Sequence, residues 1–266
     1  MVALKQTLSK CNSAFALTVL TALTPVLFQV LYVRYASYEI DPQIFGRFTL
    51  LLTLAAVSTS IFWTMPSTAF VRFFNEATNR QTFINEFRFI QVLINILSAI
   101  LVLVYCSFDE DIEPLTVCLL ISFIIFQNNA SLNKQIILQG LWRKKYFVIS
   151  TVDKSLRYLL PVLIFVYFKS INSLLAGILL SSIIVNFLGL IYNQQYRYGI
   201  EYIPRKIKIY FAYGFPLIFT SLFSWIIVFS DRYFIEYFLG DASVGKYAIL
   251  AQVASFSSIL NVIFSM

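Results

Sequence analysis

Eight apolar runs follow one another along the 266-residue chain, with only short polar connections between them. They cover roughly Ser13–Val33, Phe45–Phe70, Phe87–Ser107, Leu115–Asn133, Phe147–Phe168, Asn172–Tyr192, Ile209–Ser230 and Ser243–Met266. An α-helix rises 1.5 Å per residue, so about 20 residues cross a hydrocarbon core of about 30 Å. In lipid each run must satisfy its own backbone hydrogen bonds, which makes helices the natural form. The expectation is an all-α polytopic membrane protein with about eight transmembrane helices. Composition agrees: 59% of residues are hydrophobic and 12% charged, against about 45–50% and about 25% in a soluble domain. A secreted disulfide scaffold, a cytosolic enzyme and a nucleic-acid binder are poor readings of such a chain.

Basic residues set the expected orientation. On one side fall Lys5, Lys10, Arg72, Arg80, Arg88, Lys134, Arg143, Lys144, Lys145, Arg197, Arg205, Lys206 and Lys208. Opposite them fall Arg34, Arg47, Lys169, Arg232 and Lys246. The positive-inside rule then puts the N-terminus in the cytoplasm. The connection Phe108–Pro114 has acidic residues and no basic one, which suits an outside loop; it reads as a solvated turn, since spaced calcium ligands are absent.

An internal repeat suggests the domain plan. Gly46-Arg47-Phe48 leads into the second run, and Gly245-Lys246-Tyr247 leads into the eighth. Six spans separate the two units, so both face the same way across the membrane, as in a parallel repeat. The plan is a six-helix lobe over 1–192, a cytoplasmic linker over 193–208, and the first two helices of a second lobe over 209–266. Because Met266 falls inside an apolar run, two complete lobes would need more helices, and the expectation is a fragment or a truncated product, with a genuine eight-span protein as the alternative.

Charges inside the apolar runs are the candidate substrate contacts. Asp153, Lys154 and Arg157 stand near the start of the fifth run. Were the span to begin after them, Tyr158–Phe168 would be too short to cross. Unpaired near the bilayer centre, each charge costs about 2.5–3.5 kcal/mol. Asp153 and Arg157 are four apart, hence on one helical face. They face a hydrated cavity and an anionic substrate, or form a self-paired cluster snorkelling at the cytoplasmic interface. Asp231-Arg232 closes the seventh run, where the arginine either guards an outer mouth or reaches the headgroups. Arg34 and Arg47 read the same way. Gln127, Ser131 and Lys134 share one side of the fourth run, and Ser257, Ser258 and Asn261 one side of the eighth. Such faces line an aqueous path or serve as helix contacts.

Absences narrow the chemistry. The chain has no histidine, which removes His-based acid–base catalysis and His-liganded metals. Cys11, Cys106 and Cys118 show no C-x-x-C spacing. No Gly-rich phosphate loop appears, so the chain carries no ATPase of that kind. The first run has no carboxylate for proton or sodium coupling. No cofactor, metal or nucleic-acid partner is expected.

Short motifs carry a family resemblance. Tyr213-Gly214-Phe215-Pro216-Leu217-Ile218, Ser230-Asp231-Arg232-Tyr233-Phe234-Ile235, Phe238-Leu239-Gly240 and Val244-Gly245-Lys246-Tyr247 resemble the seventh-to-eighth helix signature of the O-antigen (Wzx-type) polysaccharide flippases. Ile40-Asp41-Pro42, Phe45-Gly46-Arg47-Phe48 and Arg72-Phe73 resemble their first loop and the exit of the second helix. These flippases belong to the multidrug/oligosaccharidyl-lipid/polysaccharide exporter superfamily, whose members typically have about twelve to fourteen helices in two lobes. The resemblance implies a non-enzymatic flippase of the bacterial inner membrane. Its substrate would be an undecaprenyl-diphosphate-linked oligosaccharide, moved from the inner to the outer leaflet by alternating access. Its partners would be that substrate, membrane lipid and other polysaccharide assembly proteins. A pyrophosphate cannot cross hydrocarbon bare, so basic residues such as Lys154 and Arg157 would offset its charge. The competing expectations are a drug or cation exporter of the same superfamily, an integral-membrane polysaccharide polymerase, and an inactive truncated remnant.

Overall fold

The computed structural model describes residues 24, 26–108, 112–196, 199–200 and 204–264, with side chains up to residue 255 except 204 and 205. Most of the first run, the acids at 109–111 and the Ser257, Ser258 and Asn261 face lie outside the residues so described. Every described element is helical, and the chain is an all-α polytopic membrane protein. In chain order the helices are α1 (26–39), α2 (Pro42–Val57), α3 (Thr64–Phe73), α4 (Arg80–Cys106) and α5 (Pro114–Gln139). They continue as α6 (Arg143–Phe168), α7 (Ile171–Tyr192), α8 (Pro204–Leu239) and α9 (Asp241–Phe264).

Local chemistry sets the helix ends. Asp41 caps α2 by accepting from the Gln43 N–H at 2.8 Å, ahead of Pro42, whose missing N–H is one the first turn leaves unpaired anyway. Asn79 caps α4, and a Ser170–Ser173 capping box opens α7. Gly240 ends α8 at φ +77°, a left-handed conformation that glycine adopts without a Cβ clash. Pro66 cannot donate to Phe62, and its ring crowds that carbonyl. Between α2 and α3 the chain accordingly passes through a π-helical turn, Ser58–Phe62, closed by a Trp63 N–H bond to Ser58 O at 3.0 Å.

Five stretches among the described residues are long and apolar enough to cross a membrane: Pro42–Glu76, Arg80–Cys106, Pro114–Gln139, Ile171–Tyr192 and Lys206–Leu239. Every 18-residue stretch of α6 contains Asp153, Lys154 and Arg157, which sets that helix apart. The outward face of α4 shows the lipid-facing pattern, with Leu93, Ile96, Ile100 and Leu103 exposed at helical spacing. Seen from outside, such a surface is stable only against hydrocarbon.

α7 packs along both α5 and α6, α2 runs against α9, and α3 against α8. One core joins α1, α2, α5 and α7 around Phe45, Phe48, Leu120 and Leu174. A second, aromatic core gathers Phe70, Phe74, Phe83, Phe87 and Tyr210 where α3, α4 and α8 meet. Glu86 is fully buried there and accepts from Tyr210 Oη at 2.7 Å and from Lys206 Nζ at 3.2 Å. A hydrogen bond to a buried carboxylate is worth about 1.5–3 kcal/mol. Tyr210→Phe is therefore expected to lower stability by about 2 kcal/mol, read as an earlier thermal unfolding transition in detergent with the rings still packed.

Several boundaries differ from the sequence reading: α4 begins at Arg80 rather than Phe87, and α5 runs to Gln139 rather than Asn133. α8 begins at Pro204 rather than Ile209, which shortens the connection after α7. It also continues past Ser230 to Leu239, so Asp231 and Arg232 lie within the helix instead of closing it. The charges do not stop the helix because each has a partner: Tyr247 Oη donates to Asp231, and Arg232 Nη1 donates to Thr53 Oγ1 at 3.0 Å.

The two glycines of the repeat meet in space. α2 crosses α9 with Gly46 facing the Asp241 carbonyl and Gly245 facing the Pro42 carbonyl. Each glycine thus packs on the residue four positions before the other, which is the arrangement of a local two-fold crossing. Arg47 Nε extends the contact with a 2.8 Å bond to Asp241 Oδ2.

Candidate functional site

A buried ionic cluster sits where α5, α6 and α7 meet. Asp153, only 7% exposed, accepts from Lys134 Nζ at 2.6 Å through Oδ2 and from Arg157 Nη2 at 3.1 Å through Oδ1. The same Arg157 nitrogen donates to Gln127 Oε1 at 2.8 Å, and Ser182 Oγ donates to that oxygen at 3.3 Å. One carboxylate therefore faces two cations. The excess positive charge is carried by Arg157, whose side chain is 36% exposed against 20% for Lys134.

That exposed portion of Arg157 opens into a cavity of about 220 Å³ shared by helices from both ends of the chain. Tyr32, Thr49, Tyr158 and Gln252 contribute to its wall, and Arg232 of α8 enters from the other side. Arg232 is held by Thr53 Oγ1 and by the Phe229 ring, whose centroid lies 5.1 Å from the guanidinium carbon. Its Nε, buried, has no acceptor among the described residues; nor has the Gln252 Oε1 a donor. A buried guanidinium N–H without an acceptor favours an anion with oxygen atoms, which is also the ligand a pair of arginines holds best.

The other sequence candidates lie elsewhere. Lys154 is exposed and outside the cavity wall; one residue turns a helix by about 100°, which points it away from Asp153. Arg34 is exposed on α1, its carbonyl accepting from Ser37 Oγ at 2.8 Å. Asp231 lies beside Arg232 but is engaged by Tyr247, tying α8 to α9. Lys134 reaches the site through Asp153. Thr53, Gln252, Tyr32 and Tyr158 carried no sequence signal, since single polar residues in apolar helices are indistinguishable from ordinary helix contacts. No group of three or more potential metal ligands occurs among the described residues.

A family model described as "Polysaccharide biosynthesis protein" matches residues 11–266, nearly the whole chain. The chain belongs to that family. It is the family of the Wzx-type flippases, so the motifs around Gly46 and in α8 and α9 resembled their own kin. Members are mostly transporters and flippases, which are not enzymes. No curated protein and no solved structure matches the chain. The chain is thus a multi-pass membrane protein whose helices enclose an arginine-lined cavity.

Proposed function

We propose that this chain is a flippase that carries an undecaprenyl-diphosphate-linked oligosaccharide from the inner to the outer leaflet of the bacterial inner membrane, with its N-terminus in the cytoplasm. The observation that carries the reading is the convergence of Arg157 and Arg232 on one cavity, with Arg232 Nε lacking an acceptor among the described residues. A diphosphate has acceptor oxygens only and loses its hydration in hydrocarbon. Two guanidinium groups replace that hydration with charge-assisted hydrogen bonds, while the prenyl tail stays in lipid. The cavity wall includes α8 and α9 as well as the earlier helices, so rocking α8 and α9 against the rest would open it alternately to each side.

A drug or cation exporter needs an anionic cavity. Here the one carboxylate of the cluster is already bound by two cations, and both arginines repel a cationic cargo. The test is expression in bacteria lacking their own flippase. The chain is expected to restore surface polysaccharide, and Arg157→Gln or Arg232→Gln to lower export by about tenfold or more, the size of one lost charge-assisted bond. Unchanged export in both variants would overturn the cationic-cavity reading.

A further inference from the structure

Beside the arginine cavity lies a second one of different chemistry, about 580 Å³ in volume, between the π-helical turn and the middle of α8. Six hydroxyl side chains line it: Thr59, Ser60 and Thr64 from one wall, Thr220, Ser221 and Ser224 from the other. Trp225, Val228 and Phe229 complete the wall, and among the described residues no charged side chain takes part. Its size falls within the range of about 300–1,000 Å³ typical of small-molecule sites.

The cavity exists for local reasons. At Gly214 α8 lies directly against Met65 of α3, and Pro216 then removes one helix hydrogen bond where the two walls begin to face each other. Opposite, the π turn widens the α2–α3 helix and presents Thr59 and Ser60 on one side. Trp225 is fixed by its indole N–H, which donates to Thr53 O at 3.3 Å. Thr53 also holds Arg232, and Phe229 touches both Trp225 and Arg232. The two cavities therefore share a wall.

Hydrogen positions decide what this second cavity accepts. Thr59 donates to Ala56 O, Thr64 to Ser60 O, and both Thr220 and Ser221 to Leu217 O. Four hydroxyl protons are thus spent on helix carbonyls, and their oxygens offer lone pairs. A diphosphate, itself all acceptor, finds hydroxyl donors there only in Ser60 and Ser224, against four hydroxyls that offer lone pairs. A sugar supplies hydroxyl and N-acetyl N–H donors around its ring, and its C–H face packs against an indole or phenyl ring.

We infer that this cavity is a saccharide-binding subsite, which takes the first sugar rings of the lipid-linked substrate while Arg157 and Arg232 hold its diphosphate. The inference rests on the flippase reading and adds to it where the glycan sits and which groups recognise it. Specificity follows from the same chemistry: a site built to receive donors discriminates strongly against a ligand that lacks them.

Binding of two probes to the full chain in nanodiscs separates the two claims. One is undecaprenyl diphosphate; the other is the same lipid bearing an N-acetylhexosamine disaccharide. The wild type is expected to bind the glycosylated lipid about tenfold more tightly. The triple variant Thr59→Val/Ser60→Ala/Ser224→Ala is expected to lose that preference and to keep its affinity for the bare lipid, which also shows that it is folded. Trp225→Phe is expected to narrow the preference in part. Arg157→Gln/Arg232→Gln should weaken both lipids alike. Equal affinity of the wild type for the two lipids, or a tenfold preference surviving in the triple variant, would overturn the subsite and leave the flippase reading standing. If neither lipid binds, the flippase reading fails and the subsite with it.

Discussion

Gly46→Leu is expected to drive α2 off α9 and to remove about 3 kcal/mol of stability, the upper end of what overpacking a close contact costs. A Cβ on Gly46 would enter the van der Waals envelope of the Asp241 carbonyl oxygen and come within 3.0 Å of the Gly245 nitrogen. The obstacle is backbone on both sides, so no side chain can swing away to relieve it. Gly245→Leu meets the Pro42 carbonyl in the same way, with the Gly46 nitrogen at 3.1 Å. Because the first substitution already parts the helices, the double variant should cost clearly less than the sum of the two. Thermal unfolding in detergent measures all three. Additive losses would mean that the two glycines do not share one crossing. The Arg47–Asp241 bond belongs to the same contact, so separating the helices breaks an ion pair along with the packing.

Asp153→Asn should be the most damaging change in the ionic cluster, by about 3–5 kcal/mol, because it leaves Lys134 and Arg157 facing each other in a largely buried place without a counter-charge. The penalty comes from the stranded cations more than from the lost bonds. Adding Lys134→Met removes one of those cations and is expected to recover a good part of the stability. Arg157→Gln alone should be milder for stability, since Asp153 keeps Lys134 and Arg157 is the more exposed partner. Denaturation midpoints of the single and double variants decide the matter. A double variant no more stable than Asp153→Asn would show that the three charges do not act as one unit.

The glycine crossing and the ionic cluster were legible in the sequence to different degrees. Gly46 and Gly245 stood out as matching positions in two similar loops, yet similarity along the chain says nothing about contact. That they meet depends on α9 folding back across α2 from about 200 residues away. Asp153 and Arg157 could be paired from their spacing, because a turn of helix is a local geometry. Lys134 belongs to another helix and was visible only as one of several polar residues on its face. Lys154, beside Asp153 in the chain, points to the exposed side, which a list of charges in an apolar run cannot reveal.

Hydrophobic run length determined that this chain spans a membrane as helices, since no other backbone arrangement short of a closed barrel satisfies its hydrogen bonds in lipid. Caps and breakers such as Asp41-Pro42, Pro66 and Gly240 shaped the helix ends and the π turn by chemistry confined to a few residues. Tertiary structure alone decided which polar groups share a cavity. Arg232 meets Thr53 across 179 positions and shares its cavity with Arg157, while the hydroxyls of α2–α3 face those of α8. Local energies repeat within a turn of helix and can be read from spacing. Contacts between distant helices depend on how whole apolar surfaces fit, and no single residue announces them.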